Sequence, residues 1–200
     1  MKKGKALSRK VLVFRLVLTI VAIIALGVLA YPFFPTLQYE LGLIGDKNET
    51  IVSLVPQEPG RRIDENAPDI NTLVIPKIGV EMPIVEGEDE SALDDGAWRI
   101  PHTSEPDLGG NTVVSGHRFK FLPPSSETFY LLDKMEIGDQ FTIYWEKIRY
   151  DYEIFETKVV EPTAVEIQDN TEDSRVTIFT CTPLFSTAQR LVVIGTLLEY

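Results

Sequence analysis

The hydrophobic and polar positions of this chain fall into three stretches with different patterning. The first is basic and then continuously apolar. Residues 1–15 carry Lys2, Lys3, Lys5, Arg9, Lys10 and Arg15 and no acid, and no charge occurs from Leu16 to Tyr39. Twenty-four uncharged residues rising about 1.5 Å each make a helix of roughly 36 Å, longer than a hydrocarbon core of about 30 Å. Pro32 and Pro35 predict an early end, which leaves a working span of Val13 to Phe34. The second stretch, residues 40–70, mixes Gly, Pro, Asp, Glu and Asn without a sustained period and reads as a linker, with a short helix near Thr36 to Leu43 at its start.

From Asn71 onward the period becomes two. "TLVIPKIGVEMPIVEG" predicts two short strands punctuated by Pro76 and Pro83, and "GGNTVVSGH" a Gly-Gly turn followed by an apolar strand. In "DQFTIYWEKIRYDYEIFETKVV", Ile148, Tyr150, Tyr152 and Ile154 alternate with Arg149, Asp151 and Glu153, which predicts a hairpin. "RVTIFTC" and "RLVVIGTLLEY" predict two further strands. Helical signals are few: "SSETFYLLDKM", opened by a serine cap, predicts about two turns, and "TAVEIQDN" one or two. Seven or eight short strands with minor helices argue for an all-β, mainly antiparallel barrel or sandwich.

Charge separates the two ends of the chain. The net charge is −11 and the first fifteen residues contribute +6, so the remainder carries −17. By the positive-inside rule the basic end stays in the cytoplasm and residue 40 onward lies outside. A cleaved signal peptide ending near Val28-Leu29-Ala30 is the rival reading, but the apolar run continues through Tyr31, Phe33 and Phe34, which favours an uncleaved anchor. So acidic an exported domain lacks the basic footprint of a nucleic-acid binder. The acidity leaves weak divalent-cation binding open, but no EF-hand loop or His/Cys ligand cluster is seen, so no metal site is assigned.

An exported position sharpens the meaning of Cys181, the single cysteine. Outside the membrane a lone thiol has no partner in its own chain, and three readings stand: buried filler, an intermolecular bridge, or a working nucleophile. A working thiol needs a base and an oxyanion donor. Of the two histidines, His102 lies in a polar, proline-rich loop and reads as surface, whereas His117 closes the strand "NTVVSGH". Cys181 closes one apolar strand and Arg190 opens the next, nine residues on, so an antiparallel pair brings both to one end of the sheet. Whether His117 joins them is not contained in the local pattern. Thr180 offers a hydroxyl beside the thiol, although strand alternation turns it to the opposite face.

"TIFTCTPLFSTAQRLVVIG" resembles the T-x-T-C-T-P…R signature of sortases, the membrane-anchored cysteine transpeptidases of bacterial surfaces, and "NTVVSGHR" resembles their histidine motif. "LVIPKIGVEMPIVEG" and "LDKMEIGDQFTIY" are similar to two further framework segments, so the resemblance covers about residues 70–199. It implies an eight-stranded sortase-type β-barrel with short helices after an N-terminal transmembrane helix. The expected organisation is a cytoplasmic basic tail over 1–11, a signal-anchor over 12–37, a linker or stalk over 38–70 and a catalytic barrel over 71–200. It further implies Cys181 as nucleophile, His117 as general acid and base, Arg190 as substrate and oxyanion stabiliser, and Thr180 as an aid to the oxyanion. The implied partners are secreted proteins bearing an LPXTG-like C-terminal sorting signal and an amine acceptor in a cell-wall precursor or pilin, with no cofactor or metal. No aspartate-aromatic lid motif is seen in residues 40–70, and the subclass stays open. The alternative is a membrane-anchored secreted cysteine protease that passes the acyl group to water. A papain-like arrangement is disfavoured because its cysteine opens a helix, and the histidine-glycine-cysteine cluster of L,D-transpeptidases is missing. A non-enzymatic surface module is the remaining reading.

Overall fold

A computed structural model describes residues 9–45, 61–64, 66–120 and 126–198, so most of the basic tail and of the linker lies outside the described residues. The chain forms two units that meet between Phe34 and Pro35. The first is helix α1, Arg9–Ala30, which ends in a 3-10 turn at Tyr31–Phe33 where Pro32 interrupts it. None of its residues is buried by protein, although its hydropathy is that of a lipid-facing segment. Thr19, a polar residue within it, donates its hydroxyl to the Arg15 carbonyl one turn back and so needs no outside partner. The helix is long and apolar enough to cross a membrane.

The second unit opens at Pro35, within helix α2, Phe34–Glu40. Tyr39 on this helix joins the hydrophobic core of the unit, and Lys134 reaches both its ring and the Glu40 carboxylate. The strands follow as β1 (Arg61–Ile63), β2 (Thr72–Ile75), β3 (Val80–Val85), β4 (Ala97–Arg99), β5 (Asn111–Ser115), β6 (Gln140–Trp145), β7 (Ile148–Val160), β8 (Arg175–Thr182) and β9 (Gln189–Leu197). Their order is β1-β7-β6-β2-β3-β4-β5-β8-β9, and a β7–β9 pairing closes β2 to β9 into an eight-stranded barrel. The short β1 adds to the early part of β7, while β9 takes its later part from Tyr152 to Val160. Closure removes the free edges that an open sheet would expose.

Local chemistry accounts for several of these elements. The β6–β7 hairpin turns on Glu146 and Lys147, both at positive φ (50° and 65°), the geometry of a two-residue hairpin loop that matches strand twist. On β7 the expected inner face holds: Tyr150, Tyr152 and Ile154 are buried. Pro83 sits inside β3 because parallel β4 pairs only with Ile84 and Val85, so no ladder bond is lost at the proline. The segment expected to make two helical turns after Ser125 does not; among the described residues from Ser126 on it forms turns and one 3-10 turn, Leu132–Lys134. Phe129, Tyr130, Leu131 and Leu132 are four consecutive buried residues, a run that packing against the barrel satisfies and a one-faced helix cannot. The expected helix in "TAVEIQDN" is likewise a short 3-10 turn, Val165–Gln168.

Candidate active site

Strand β5 decides what the site contains. All five of its residues are buried, because β4 and β8 flank it and the 165–169 segment caps its start. Asn111 donates its amide to the Ile167 and Asp169 carbonyls and accepts from the Thr177 hydroxyl of β8. The β5–β8 pairing is parallel and runs to Ser115 opposite Phe179. Two bonds extend it past the strand end: the Gly116 N–H donates to the Phe179 carbonyl (3.3 Å), and the Thr180 hydroxyl donates to the Gly116 carbonyl (2.7 Å). The paired residues end at Ser115 and Phe179, and His117 and Cys181 each lie two residues beyond that last pair.

Strand alternation sorts the neighbours. Val176 and Ile178 point into the barrel core, and Phe179 packs with Val192 and Ile194 in the outer cluster. Cys181 therefore shares the outer face of β8 with Phe179, and Arg190, its direct antiparallel partner on β9, shares the outer face with Val192. Thr180 is on the inner side, 1% exposed, and its hydroxyl is taken up by Gly116. To donate to an oxyanion at the outer face that hydroxyl would have to leave a buried carbonyl unpaired, so its place in the structure is that of a register pin between β5 and β8.

Gly116 precedes the histidine because nothing larger fits. A Cβ built there would lie 2.5 Å from Cε2 of Phe129. The Phe129 N–H in turn donates to the His117 carbonyl (2.9 Å), so the ring and the backbone of one residue hold both sides of the turn. The His117 side chain is 37% exposed and its Nε2 stands 3.5 Å from Oδ1 of Asp94. Asp94 ends a 3-10 turn, Glu90–Asp94, which begins with the Asp89 carboxylate accepting from the Ser91 N–H; the Ser91 hydroxyl first and its N–H second hold Asp89 below the usual carboxylate range. These residues and His117 line a cleft of about 710 Å³ with Ser91 and Leu93, so the histidine opens onto an acidic mouth.

On the other side of the thiol, the β8–β9 loop begins with a cis peptide between Thr182 and Pro183. Leu184 packs on the core, and the Phe185 ring, more than half exposed, meets Phe119 edge-on at 4.7 Å. Arg190 Nη1 donates to the Thr187 and Gln189 carbonyls (3.0 and 3.1 Å), which fixes the guanidinium at the mouth of this loop. A guanidinium has five N–H donors, so this anchoring leaves capacity for a substrate oxygen. His102, read as surface, is exposed and lies in the loop after β4. Among the described residues no group of three His, Cys, Asp or Glu side chains is arranged to hold a metal ion.

Two residues at the site escaped the reading of the sequence. Asp94 belongs to a loop 23 positions before His117, and no spacing rule links them. Arg118 directly follows His117 and was not singled out in the sequence, yet its side chain is 8% exposed. Its Nε donates to the Tyr130 carbonyl (2.9 Å) and Nη2 to the Asp133 carboxylate (2.6 Å), while Nη1 is buried without a partner. Burial holds this guanidinium below its ordinary value, against the pull of Asp133, Tyr130 and Cys181.

Comparison with known proteins identifies the family of this fold. Sortase D of Bacillus subtilis is 34% identical over 114 residues, covering 56% of this chain and 53% of that protein. Sortase A of Listeria monocytogenes is 29% identical over 129 residues, covering 64% and 56%. The chain thus spans about half the length of the curated relatives it matches. Among solved structures, sortase C1 from Streptococcus agalactiae superposes with a TM-score of 0.58 at 28% identity, covering 70% of this chain and 72% of that one. The family model of the sortase domain matches residues 73–198, from the first core strand to the end of the last, and the chain belongs to the sortase family.

Proposed function

We propose that this protein is a cysteine transpeptidase that cleaves a sorting signal in secreted proteins and passes the acyl group to an amine. The observation that supports the reading is the register of three strands: Cys181 on β8 pairs with Arg190 on β9, and His117 and Cys181 each follow the last parallel β5–β8 pair, Ser115 and Phe179, by two residues. In this mechanism the Cys181 thiol gives its proton to His117 and the thiolate attacks a backbone carbonyl of an LPXTG-like segment. Arg190 donates to the oxyanion of the tetrahedral intermediate, a contribution of about 3–4 kcal/mol for a well-placed donor. His117 protonates the leaving amine, the C–N bond breaks, and a thioester to Cys181 remains. An incoming amine gives up a proton to His117, attacks the thioester carbonyl, and expels the sulfur as the new amide forms. Thr180 contributes by holding β8 in register with Gly116.

The acidic cleft beside His117 supports an amine as the second substrate, because Asp89, Glu90 and Asp94 favour the approach of a cation over that of an anion. The acceptor we assign is accordingly a cell-wall precursor amine or a pilin lysine. We place the protein in the cell membrane through α1, with a cytoplasmic N-terminus and the barrel outside, as the basic residues before the apolar run favour.

The test uses the full chain in detergent with a library of LPXTG-like peptides, with and without triglycine, followed by mass spectrometry. An acyl-enzyme mass and a triglycine-joined product, both lost in Cys181→Ala, are expected. Hydrolysis that triglycine does not divert would replace the transpeptidase by a protease, and no adduct with any peptide would overturn both.

A further inference from the structure

We propose that Phe185 is a specificity-determining residue of the acyl-donor site: its ring is the platform on which an apolar side chain of the incoming peptide packs. The inference deepens the reading of Cys181 as nucleophile and rests on it. Three observations point to this role. The first is position. The segments that carry His117 and Cys181 are tied to each other twice, by the Thr180 hydroxyl on the Gly116 carbonyl (2.7 Å) and by the Phe119 and Phe185 rings, edge-on at 4.7 Å. His117 and Cys181 lie along the chain between these two ties, so the aromatic pair bridges the segments just beyond the acid–base group and the nucleophile. The second is the backbone. The Ser186 N–H donates to the Pro183 carbonyl (2.9 Å) and closes a turn whose third residue is Phe185, at a φ of 64°. That left-handed position favours glycine, and a bulky residue there is an outlier of the kind that gathers at ligand sites. The third is exposure with support. The Phe185 ring is 54% exposed, yet Phe119 backs it, meets Tyr130 at 6.3 Å and packs on the barrel core, as Leu184 does beside it.

The physical effect follows from support and desolvation. A ring held from behind offers a broad apolar face at little further cost in conformational entropy. A peptide whose carbonyl reaches Cys181 runs alongside the segment that follows it, and Phe185 is four positions along that segment. A leucine-like side chain laid on the ring takes its open part out of water together with its own surface. An asparagine of nearly the same size gives up hydrogen bonds to water there and finds no replacement on an aromatic face. The ring therefore selects apolar over polar at one position of the peptide.

The experiment measures kcat and KM of the full chain in detergent for peptides in which each position of an LPXTG-like sequence in turn carries leucine or asparagine. Wild type, Phe185→Leu and Phe185→Gly are compared. Thermal unfolding and the rate at which iodoacetamide alkylates Cys181, the single cysteine, serve as controls that need no turnover. Glycine suits a φ of 64°, so Phe185→Gly is expected to fold and to unfold close to the wild-type temperature. At one peptide position wild type is expected to prefer leucine about tenfold or more in kcat/KM, and Phe185→Gly to reduce that preference to about twofold. The loss is expected to fall on KM, as it does when binding shared by ground state and transition state is removed. Phe185→Leu keeps an apolar side chain and is expected to retain most of the preference. A preference unchanged in Phe185→Gly at every position, with transfer intact, overturns this proposal and leaves the transpeptidase reading standing. A joint fall in kcat, unfolding temperature and alkylation rate, with the preference kept, also overturns it and makes the aromatic pair a structural clasp. If wild type processes no peptide while Cys181 alkylates, the acyl-donor reading fails and takes this inference with it.

Discussion

Two buried charges in this barrel are treated in opposite ways. On β7, Asp151 is 2% exposed and accepts from the Thr142 hydroxyl and from Arg149 Nε, each at 2.7 Å. The cluster closes on itself across the β6–β7 ladder, where Thr142 stands directly opposite Asp151. Beside the candidate site, Arg118 is nearly as well buried but keeps one donor without a partner. A closed polar cluster specifies register and packing. An open one costs stability, and it lies where the chemistry is proposed. Their difference separates a closed cluster that builds the barrel from an open one beside the candidate site.

That separation can be broken by experiment, and the largest expected effect is on stability. Asp151→Ala strands a buried hydroxyl and an arginine, and denaturant unfolding is expected to show a loss of about 3–5 kcal/mol, with peptide transfer kept wherever the fold survives. A stable Asp151→Ala protein with lost transfer would reverse the assignment of that cluster. At the other pole, Arg190→Ala is expected to lower kcat for transfer about 10²- to 10³-fold while the unfolding midpoint hardly changes. An equal loss of stability would make Arg190 an ordinary strand-end residue.

Thr180→Val probes the border between the two regions, since it deletes only the hydroxyl that pins β8 to Gly116. A cost of about 1–2 kcal/mol is expected from the carbonyl left unpaired, with a fall in transfer of about tenfold or less as His117 loses register. A 10³-fold fall at unchanged stability would instead return the hydroxyl to the oxyanion.

The smallest effect belongs to a half-exposed cluster of intermediate kind. Lys77 lies between Asp139 (2.7 Å) and Glu136 (3.2 Å). Burial lowers its value, but the two carboxylates outweigh that and hold it above the ordinary lysine range. A lysine raised in the folded state adds stability in full below the unfolded value of about 10.4, and loses it as pH rises through the folded value. Lys77→Met is therefore expected to be slightly less stable than wild type at pH 8, with the gap narrowing above about pH 10.4. A gap that widens with pH would contradict the sign.

Much of the barrel was legible because its signals are local. The alternation from Ile148 to Ile154 placed the buried face of β7, and the turn residues between β6 and β7 appear where the hairpin was expected. The apolar run gave α1, and the interval from Cys181 to Arg190 gave an antiparallel pair with both residues at one end. Where the reading failed, at the helix expected after Ser125, the reason is that a serine cap and a few good helix formers were outweighed by the burial of Phe129 to Leu132 on the barrel.

What the sequence determined by itself, then, is whatever depends on neighbours along the chain: the period of each strand, the length of the apolar helix, the pairing of strands joined by short loops, and through its motifs the family. Only the tertiary structure decided that β5 lies parallel to β8, about sixty residues away, so that His117 and Cys181 each follow its last pair by two residues. It alone decided that Thr180 faces Gly116, that Asp94 stands across the cleft from the histidine, and that Arg118 is buried with a donor to spare. The physical reason is that a parallel pairing carries no short-range signature, since a long crossover must close before its contacts form. A charge, likewise, is surface or interior according to what packs over it, and for Arg118 that cover comes from Tyr130 and Asp133, on a separate segment of the chain.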